Sequence, residues 1–153
     1  MIEVVPATAA HADAMAPLMS AQDVAEIEAM GFTPREALGY SLNGSTVADC
    51  ALVDGVPAAL WGICPRSLLG ERALLWMLGT PAVQQNARAL LVLSRYFADW
   101  AQERYPVLEA LIDSRHDKAL RWVKWLGFKS TGGCTTLRGV RFIGFERGAY
   151  HGD

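Results

Sequence analysis

Two kinds of titratable side chain in this sequence can move a proton near neutral pH. Glu26 and Glu28 lie two residues apart in a segment with helical spacing, and a carboxylate close to an amine can act as its general base. Side chains two residues apart on a helix point in different directions, so at most one of these carboxylates faces a given cleft. His116 follows a short apolar segment and is the histidine placed to assist the same proton transfer.

Metal chemistry is not indicated by the other ligand-type residues. The chain contains three histidines and three cysteines, which are His11, His116, His151, Cys50, Cys64 and Cys134. They do not share the short spacings typical of zinc sites, and the sequence has no Cys-x-x-Cys pair. We therefore predict no metal, and we expect the odd number of cysteines to be free thiols in a reducing compartment.

The composition is that of one folded domain over residues 1–153. Hydrophobic residues make up 52% of the chain and charged residues 20%, so a packed core is expected and global disorder is excluded. The net charge of −2 provides no basic field for a polyanion, so nucleic acid is not an expected partner. The N-terminus does not resemble a secretory signal, and the longest apolar runs are shorter than the ~20 residues that span a bilayer.

The first third of the chain predicts a strand followed by three helices. Residues that favour strands or cap helices mark the boundaries. The predicted elements are a strand at 2–5 and helices at 9–19, 23–30 and 34–42, with Thr8 capping the first helix and a capping box of Thr33 and Glu36 opening the third.

The remaining two-thirds predict strands and helices in alternation. Asp54-Gly55 between two apolar runs is the favoured turn of a tight hairpin. Residues 73–79 are apolar enough to form a central strand buried on both faces. The other predicted elements are hairpin strands at 47–53 and 56–63, a loop at 66–72, the longest helix at 82–104, a strand at 107–112, a helix at 118–126, and a final hairpin of 134–137 and 140–145. This order predicts an α/β sandwich with a mixed sheet.

Polar residues follow the carboxyl ends of the predicted strands 73–79 and 107–112. Ligands of open α/β sheets bind beyond such strand ends. We therefore expect one cleft, with Gln84 and Asn86 as its anion contacts. The residues expected to lie in this cleft are Thr80, Gln84, Asn86, Asp113 and His116.

The segment over residues 116–128 resembles the last motif of the GNAT acetyltransferase fold. That motif usually reads Asn, two residues, Ala, three residues, Tyr, two residues and Leu-Gly-Phe. Here His116 replaces the Asn and Val123 replaces the Tyr, whereas Ala119 and the ending are kept. Because Val123 lacks the hydroxyl of the family's general acid, His116 is the expected substitute.

The GNAT resemblance has consequences for the fold. It implies a three-layer α/β sandwich with a mixed, mostly antiparallel sheet and helices on both faces. Strands 73–79 and 107–112 are then parallel neighbours that splay apart, with the helix that starts near residue 82 crossing between them.

The same resemblance implies a site for acetyl-CoA after the central strand. The family binds the cofactor's pyrophosphate on a loop and helix N-terminus, where backbone N–H groups and the helix dipole favour an anion. The family signature, Gln or Arg, two residues, Gly, one residue, Gly or Ala, falls on residues 84–89. Ala87 replaces its first Gly, and a methyl group there obstructs close approach to a phosphate, so the site is degenerate. The implied cofactor contacts are Leu78, Thr80, Gln84, Asn86, Ala87, Arg88 and Ala89.

Nearly the whole chain is similar to the phage internal virion protein A family, small GNAT-like proteins of short-tailed phages and prophages. This similarity rests on Asp23-Val-Ala-Glu26-Ile-Glu28-Ala-Met-Gly31, Trp61-Gly62, Trp76-Met-Leu-Gly79-Thr80, Leu93-Ser94-Arg95, Tyr105-Pro106-Val-Leu108 and residues 113–128. In the related pattern an acidic residue recurs at Glu26, which favours Glu26 over Glu28 as the base.

Two functions follow from these resemblances. The leading prediction is a phage or prophage protein that binds other virion or assembly proteins, in the cytoplasm of a bacterial host or the virion interior, as a monomer or a homo-oligomer. The alternative is an acetyl-CoA-dependent N-acetyltransferase in which Glu26 and His116 are catalytic and Asp113 and Arg115 line the substrate cleft. The degenerate loop at residues 84–89 discriminates between them.

Overall fold

A computed structural model describes residues 1–66 and 70–148 and places seven strands of this part of the chain in one sheet. The strands are β1 (Ile2–Pro6), β2 (Val47–Val53), β3 (Val56–Pro65), β4 (Arg72–Gly79), β5 (Val107–Asp113), β6 (Lys129–Leu137) and β7 (Val140–Gly148). Their order across the sheet is β1-β2-β3-β4-β5-β7-β6. Every neighbouring pair is antiparallel except β4 and β5, so the expected mixed sheet is confirmed.

Helices cover both faces of the sheet. They are α1 (Ala9–Met15), α2 (Ala21–Ala29), α3 (Pro34–Gly44), α4 (Ala82–Gln85), α5 (Ala87–Arg104) and α6 (Asp117–Trp125). The first three pack on one face, where the buried side chains include Met15, Ile27, Leu38, Cys50, Leu60 and Leu78. Helices α5 and α6 pack on the other face, where the buried side chains include Leu75, Ala98, Leu108, Val123 and Phe145. The three-layer sandwich is therefore confirmed.

Local sequence signals explain most element boundaries. Thr8 and Thr33 cap α1 and α3 through their side chains, and both helices begin with a capping box. Asp54 and Gly55 adopt positive φ values of 49° and 81°, as a tight hairpin turn requires, and join β2 to β3. These signals are short-range, which is why they could be recognised in the sequence.

Two predicted helices differ from the structure. The helix expected over residues 9–19 ends at Met15 and continues as a 3₁₀ turn, because Pro17 has no N–H to continue the α-helical bonding. The helix expected over residues 82–104 is broken at Asn86, which has φ −124° and ψ 26°. The Asn86 side chain donates to Ala82 O, and such local bonding competes with a continuous helix.

Strands β4 and β5 pair only over their first residues. The parallel register runs from Arg72 opposite Val107 to Leu74 opposite Glu109, and the two strands then separate. The predicted splay is confirmed. It opens a cleft toward Gly79 and Asp113, the last residues of the two strands.

Two predictions concern residues that the structure does not describe. His151 lies outside the described residues, and so does part of the loop predicted at residues 66–72. The last residue of that loop, Arg72, is the first residue of β4. Among the helices of residues 1–66 and 70–148, none combines the length and apolar character needed to cross a membrane.

Candidate active site

The free edge of β4 is bound by α2. The Thr80 N–H donates to Ala58 O in β3, so the backbone groups of the preceding residue, Gly79, point to the cleft side. Ser20 N–H donates to Gly79 O over 2.9 Å, and Gly79 N–H donates to Asp23 Oδ2 over 2.8 Å. The start of α2 therefore lies against the end of β4.

Asp113 ends the other arm of the cleft and is paired with Arg115. The Arg115 side chain donates to both oxygens of the Asp113 carboxylate, and the Arg115 backbone N–H donates to Oδ1. Burial alone would raise the pKa of Asp113, but the hydrogen bonds and positive charge of Arg115 outweigh it and place the pKa below its ordinary value. Asp113 is thus a buried carboxylate, whereas 54% of the Arg115 side chain is exposed.

His116 caps α6, the helix that follows β5. Its Nδ1 accepts from Ala119 N–H over 3.3 Å, and its Nε2 lies 2.9 Å from Asp23 Oδ1. Asn is a favoured capping residue, so the ring does what the usual Asn of the resembled motif would do at this position. The bond to Asp23 raises the pKa of His116 against the opposing effect of burial. Both ring nitrogens are engaged within the protein.

Glu26 lies over the end of β5, one turn of α2 after Asp23. Burial, and after it the charge of Asp23, raises the pKa of Glu26 from 4.5 to about 7, with His116 and the backbone amide of Asp113 opposing the rise. Glu26 remains partly accessible, whereas Glu28 is exposed on another face of the helix. A partly accessible carboxyl with a pKa near neutrality suits general base chemistry.

Leu78 and Thr80, two of the predicted cofactor contacts, complete the end of β4. Leu78 is buried against the layer of α1 to α3. Thr80 is also buried, and its hydroxyl donates to Ala58 O and accepts from Ala82 N–H. The side-chain polar group of Thr80 therefore serves the local structure, and a contribution of either residue to cofactor binding stays a prediction.

The remaining predicted cofactor contacts lie around the N-terminus of α5. Gln84, Arg88 and Ala89 are exposed, whereas Asn86 and Ala87 are partly buried. Leu90 N–H donates to Asn86 O and makes the first helical hydrogen bond of α5. The N–H groups of residues 87–89 therefore belong to the first turn of the helix, which has no intrahelical acceptors. This turn contains no acidic residue and carries Arg88. It fits an anionic group such as a pyrophosphate.

The short helix α4 lies just before α5, and its own hydrogen bonds limit how many backbone N–H groups this segment can donate to an anion. Val83 N–H donates to Thr80 O, Gln84 N–H to Pro81 O and Asn86 N–H to Val83 O. A Cβ at Gly79 would lie 2.7 Å from a Val83 methyl, so α4 packs tightly on the end of β4. The segment is therefore a closed helical turn, and the N-terminus of α5 is the part that fits an anion.

Val123 occupies the position that the GNAT resemblance assigns to a hydroxyl acid. Its side chain is fully buried in the core of α5, α6 and the sheet.

Within the described residues, no three histidine, cysteine or acidic side chains come together as a metal site.

Asp23 is a residue of this site for which the sequence predicted no role. It contacts both arms of the cleft, and with Glu26 it forms a pair three residues apart on one helix face. That spacing was visible in the sequence. The partners of Asp23, Gly79 and His116, are 56 and 93 residues away and could not be recognised there.

Solved structures share this fold at low sequence identity. The yncA protein of Salmonella typhimurium, solved with its cofactor acetyl-CoA, is 17% identical, has a TM-score of 0.70, and the match covers 100% of this chain and 97% of that one. An acetyltransferase of the GNAT family from Streptococcus pneumoniae is 13% identical, with a TM-score of 0.62 and coverage of 96% and 98%. An N-acetyltransferase from Staphylococcus aureus Mu50 is 12% identical, with a TM-score of 0.67 and coverage of 97% and 98%.

The sequence itself matches no protein-family model and no curated protein. The likeness therefore rests on structure, and at these identities it concerns the fold alone. The order of the strands, the splay of β4 and β5 and these neighbours agree: the chain has the GNAT fold.

Proposed function

We propose that the protein is an acetyl-CoA-dependent N-acetyltransferase in which Glu26 is the general base. The observation that carries this proposal is the partly accessible Glu26 carboxyl, which lies near Asp113 at the end of β5, with its pKa raised to about 7 by burial first and by the charge of Asp23 second. A base with this pKa is half ionised near neutral pH, where it can accept a proton from an attacking amine. The GNAT neighbours, one of them solved with acetyl-CoA, support the choice of reaction.

The N-terminus of α5 is the proposed cofactor site. Its first-turn N–H groups, together with Arg88 and Gln84, would hold the pyrophosphate of acetyl-CoA. When bound, acetyl-CoA supplies an acetyl thioester for transfer to an amine. Thr80 and Leu78 lie at the end of β4, from which the chain leads through α4 to this turn.

The charge of the cleft favours a cationic acceptor. Asp23, Glu26 and Asp113 bring three carboxyl groups together, and the cationic groups that face them are Arg115 and His116, whose pKa is raised by its bond to Asp23. A protonated primary amine is attracted to such an acidic cleft before Glu26 removes its proton. We therefore propose small primary amines as the acceptor class.

The proposed role of the other catalytic candidate, His116, is structural. Val123 has no proton to donate, so the protein offers no hydroxyl acid at that position. His116 holds α6 and Asp23 through its two nitrogens, and we assign it to the support of Glu26. Direct proton transfer by His116 stays a prediction that its substitution can test.

A thiol-release assay tests this function. Purified protein is incubated with acetyl-CoA and a panel of primary amines at pH 8, and free thiol is measured over time. We expect turnover with at least one amine, and we expect E26Q to lower it by about 100-fold or more. E28Q, which removes the same charge from the exposed face of α2, should keep the wild-type rate. Equal rates in wild type and E26Q would contradict the assignment of Glu26.

The virion role stays a prediction without support from the comparisons. Neither the similarity to the phage internal virion protein A family nor binding to virion or assembly proteins is addressed by the fold neighbours. Its test is co-purification of the protein with phage particles or assembly intermediates. Absence from both would remove this alternative, together with its expected place in the virion interior.

A further inference from the structure

Asp23 connects the two arms of the cleft through one carboxylate. Its Oδ2 accepts from Gly79 N–H at the end of β4, and its Oδ1 accepts from His116 Nε2 ahead of α6. The side chains of Asp23 and His116 are only 15% and 11% exposed, so water competes little for these hydrogen bonds. A single residue of α2 therefore connects that helix to the end of β4 and to the segment that follows β5.

The His116 ring extends this connection to α6. Because Nδ1 accepts from Ala119 N–H, the proton of the neutral ring lies on Nε2, the nitrogen that donates to Asp23. A proton on Nδ1 would set two N–H groups against each other at the start of α6. Asp23 thus selects the ring tautomer that caps the helix.

Glu26 lies one helical turn after Asp23, on the same face of α2. Its place over the end of β5 therefore depends on where α2 is held. The charged or titratable groups that face Glu26 are Asp23 on its own helix, Asp113 on β5, Arg115 after β5 and His116 at the start of α6. Among the side chains, Asp23 contributes most to the raised pKa of Glu26 after burial itself.

We propose that Asp23 is the positioning residue of the cleft, which fixes α2 across β4 and β5 and keeps a negative charge one turn from Glu26. The proposal rests on the proposed function only for the catalytic use of Glu26. The hydrogen bonds and the charge of Asp23 act on Glu26 whether or not the protein transfers an acetyl group.

Carboxyl-detected NMR measures the effect directly, without cofactor or acceptor. The titration of Glu26 is followed in wild type, D23N and E28Q, with E26Q used to assign the signal. D23N keeps an oxygen for Gly79 N–H but turns an NH₂ group toward His116 Nε2, and it removes the charge. We expect the titration midpoint of Glu26 to fall by about one pH unit in D23N and to stay within ~0.2 unit of wild type in E28Q.

The results separate this proposal from the proposed function. An unchanged Glu26 midpoint in D23N, or an equal fall in E28Q, would overturn the role of Asp23 even if acetyl transfer is observed. A fall in D23N alone would support it even if no amine is acetylated. If D23N does not fold, ¹⁵N spectra of wild-type His116 decide, recorded at a pH high enough to make the ring neutral: a ring protonated at Nε2 supports the proposal, and one protonated at Nδ1 overturns it.

Discussion

The two ends of the β4 and β5 pair use ionic groups in opposite ways. At the paired end, Arg72 donates to Glu109 and Glu146, and Arg66 donates to Glu109, so two cations match two carboxylates. At the open end, Asp23, Glu26 and Asp113 gather around one arginine and a histidine. The paired end holds the strands in register, whereas the open end gathers an excess of carboxyl groups in a cleft.

This difference explains why Glu26, the proposed base, lies where the strands separate. At the paired end, main-chain pairing joins the strands, and each carboxylate accepts a hydrogen bond from an arginine. Separation of the strands allows α2 to enter, and it brings carboxyl groups together with less solvent than an open surface would provide. The raised pKa of Glu26 follows from that burial first and from the charge of Asp23 second.

The largest expected effect concerns Glu26 and pH. Its pKa in the folded protein, about 7, lies above the ordinary value of 4.5. The contribution of protonated Glu26 to the free energy of unfolding is therefore fully present below pH 4.5 and is lost as the pH rises through 7. E26Q should therefore exceed wild type in free energy of unfolding at pH 8 by on the order of 2–3 kcal/mol, and by much less at pH 5. Urea unfolding at both pH values checks this.

The control for this measurement is E28Q, which should follow wild type at both pH values. His116, whose pKa is also raised, loses stabilisation in the same direction as the pH rises. The difference between E26Q and wild type is therefore the diagnostic quantity. If that difference is the same at pH 5 and pH 8, burial of a neutral Glu26 is contradicted.

The next effect concerns the two hydrogen bonds of His116, one that caps α6 and one to Asp23. H116A removes the Nδ1 cap of α6 and the Nε2 bond to Asp23, and we expect a loss of about 2 kcal/mol in the free energy of unfolding. H116N keeps a capping oxygen but is too short to reach Asp23, so about half of the loss should be recovered. Urea unfolding at pH 7 compares the variants, and equal losses in both would show that the cap contributes nothing.

A smaller effect is expected at the paired end. R66A removes an ion pair in which 58% of the arginine side chain is exposed, and exposed pairs contribute less than about 1 kcal/mol. Arg72 keeps Glu109 and Glu146 in place. We therefore expect R66A to lower stability only slightly and to leave the NMR titration of Glu26 unchanged. A shifted Glu26 midpoint in R66A would show that the two ends are not independent.

The smallest effect concerns the first turn of α5, which is the proposed cofactor site. A87G removes the methyl group at the first position of α5, where the resembled signature has glycine, and should tighten acetyl-CoA binding a few-fold. Calorimetry measures the change. Unchanged or weaker binding in A87G would indicate that the first turn of α5 does not contact the pyrophosphate.

Short-range signals allowed most of the fold to be predicted. Asp54-Gly55, the cap at Thr8 and the capping box at Thr33 act within a few residues, and the structure has the expected turn and helix starts. The break at Asn86 was missed because its cause is a side-chain bond that competes with helix propensity over a single turn. The parallel pairing of β4 and β5 was predicted from the family resemblance and is supported by the strand-helix-strand spacing of this segment.

The site was less accessible to prediction from sequence. Glu26 and His116 were candidates because their types suit proton transfer, but their geometry depends on Asp23, which reaches Gly79 and His116 across 56 and 93 residues. The ring nitrogens of His116 are both occupied only because α2 and α6 meet at the cleft. Such long-range contacts leave no periodic pattern in the sequence.

Binding of acetyl-CoA tests most directly the proposal that the open end of the β4 and β5 pair is an acetyl-transfer site. Calorimetry with acetyl-CoA is run on wild type, on R88E at the start of α5, and on R121E, which reverses the exposed Arg121 on α6. We predict saturable wild-type binding with a Kd in the micromolar range, about tenfold weaker binding in R88E, and no change in R121E. Absence of binding to wild type at millimolar acetyl-CoA would contradict the proposed cofactor site.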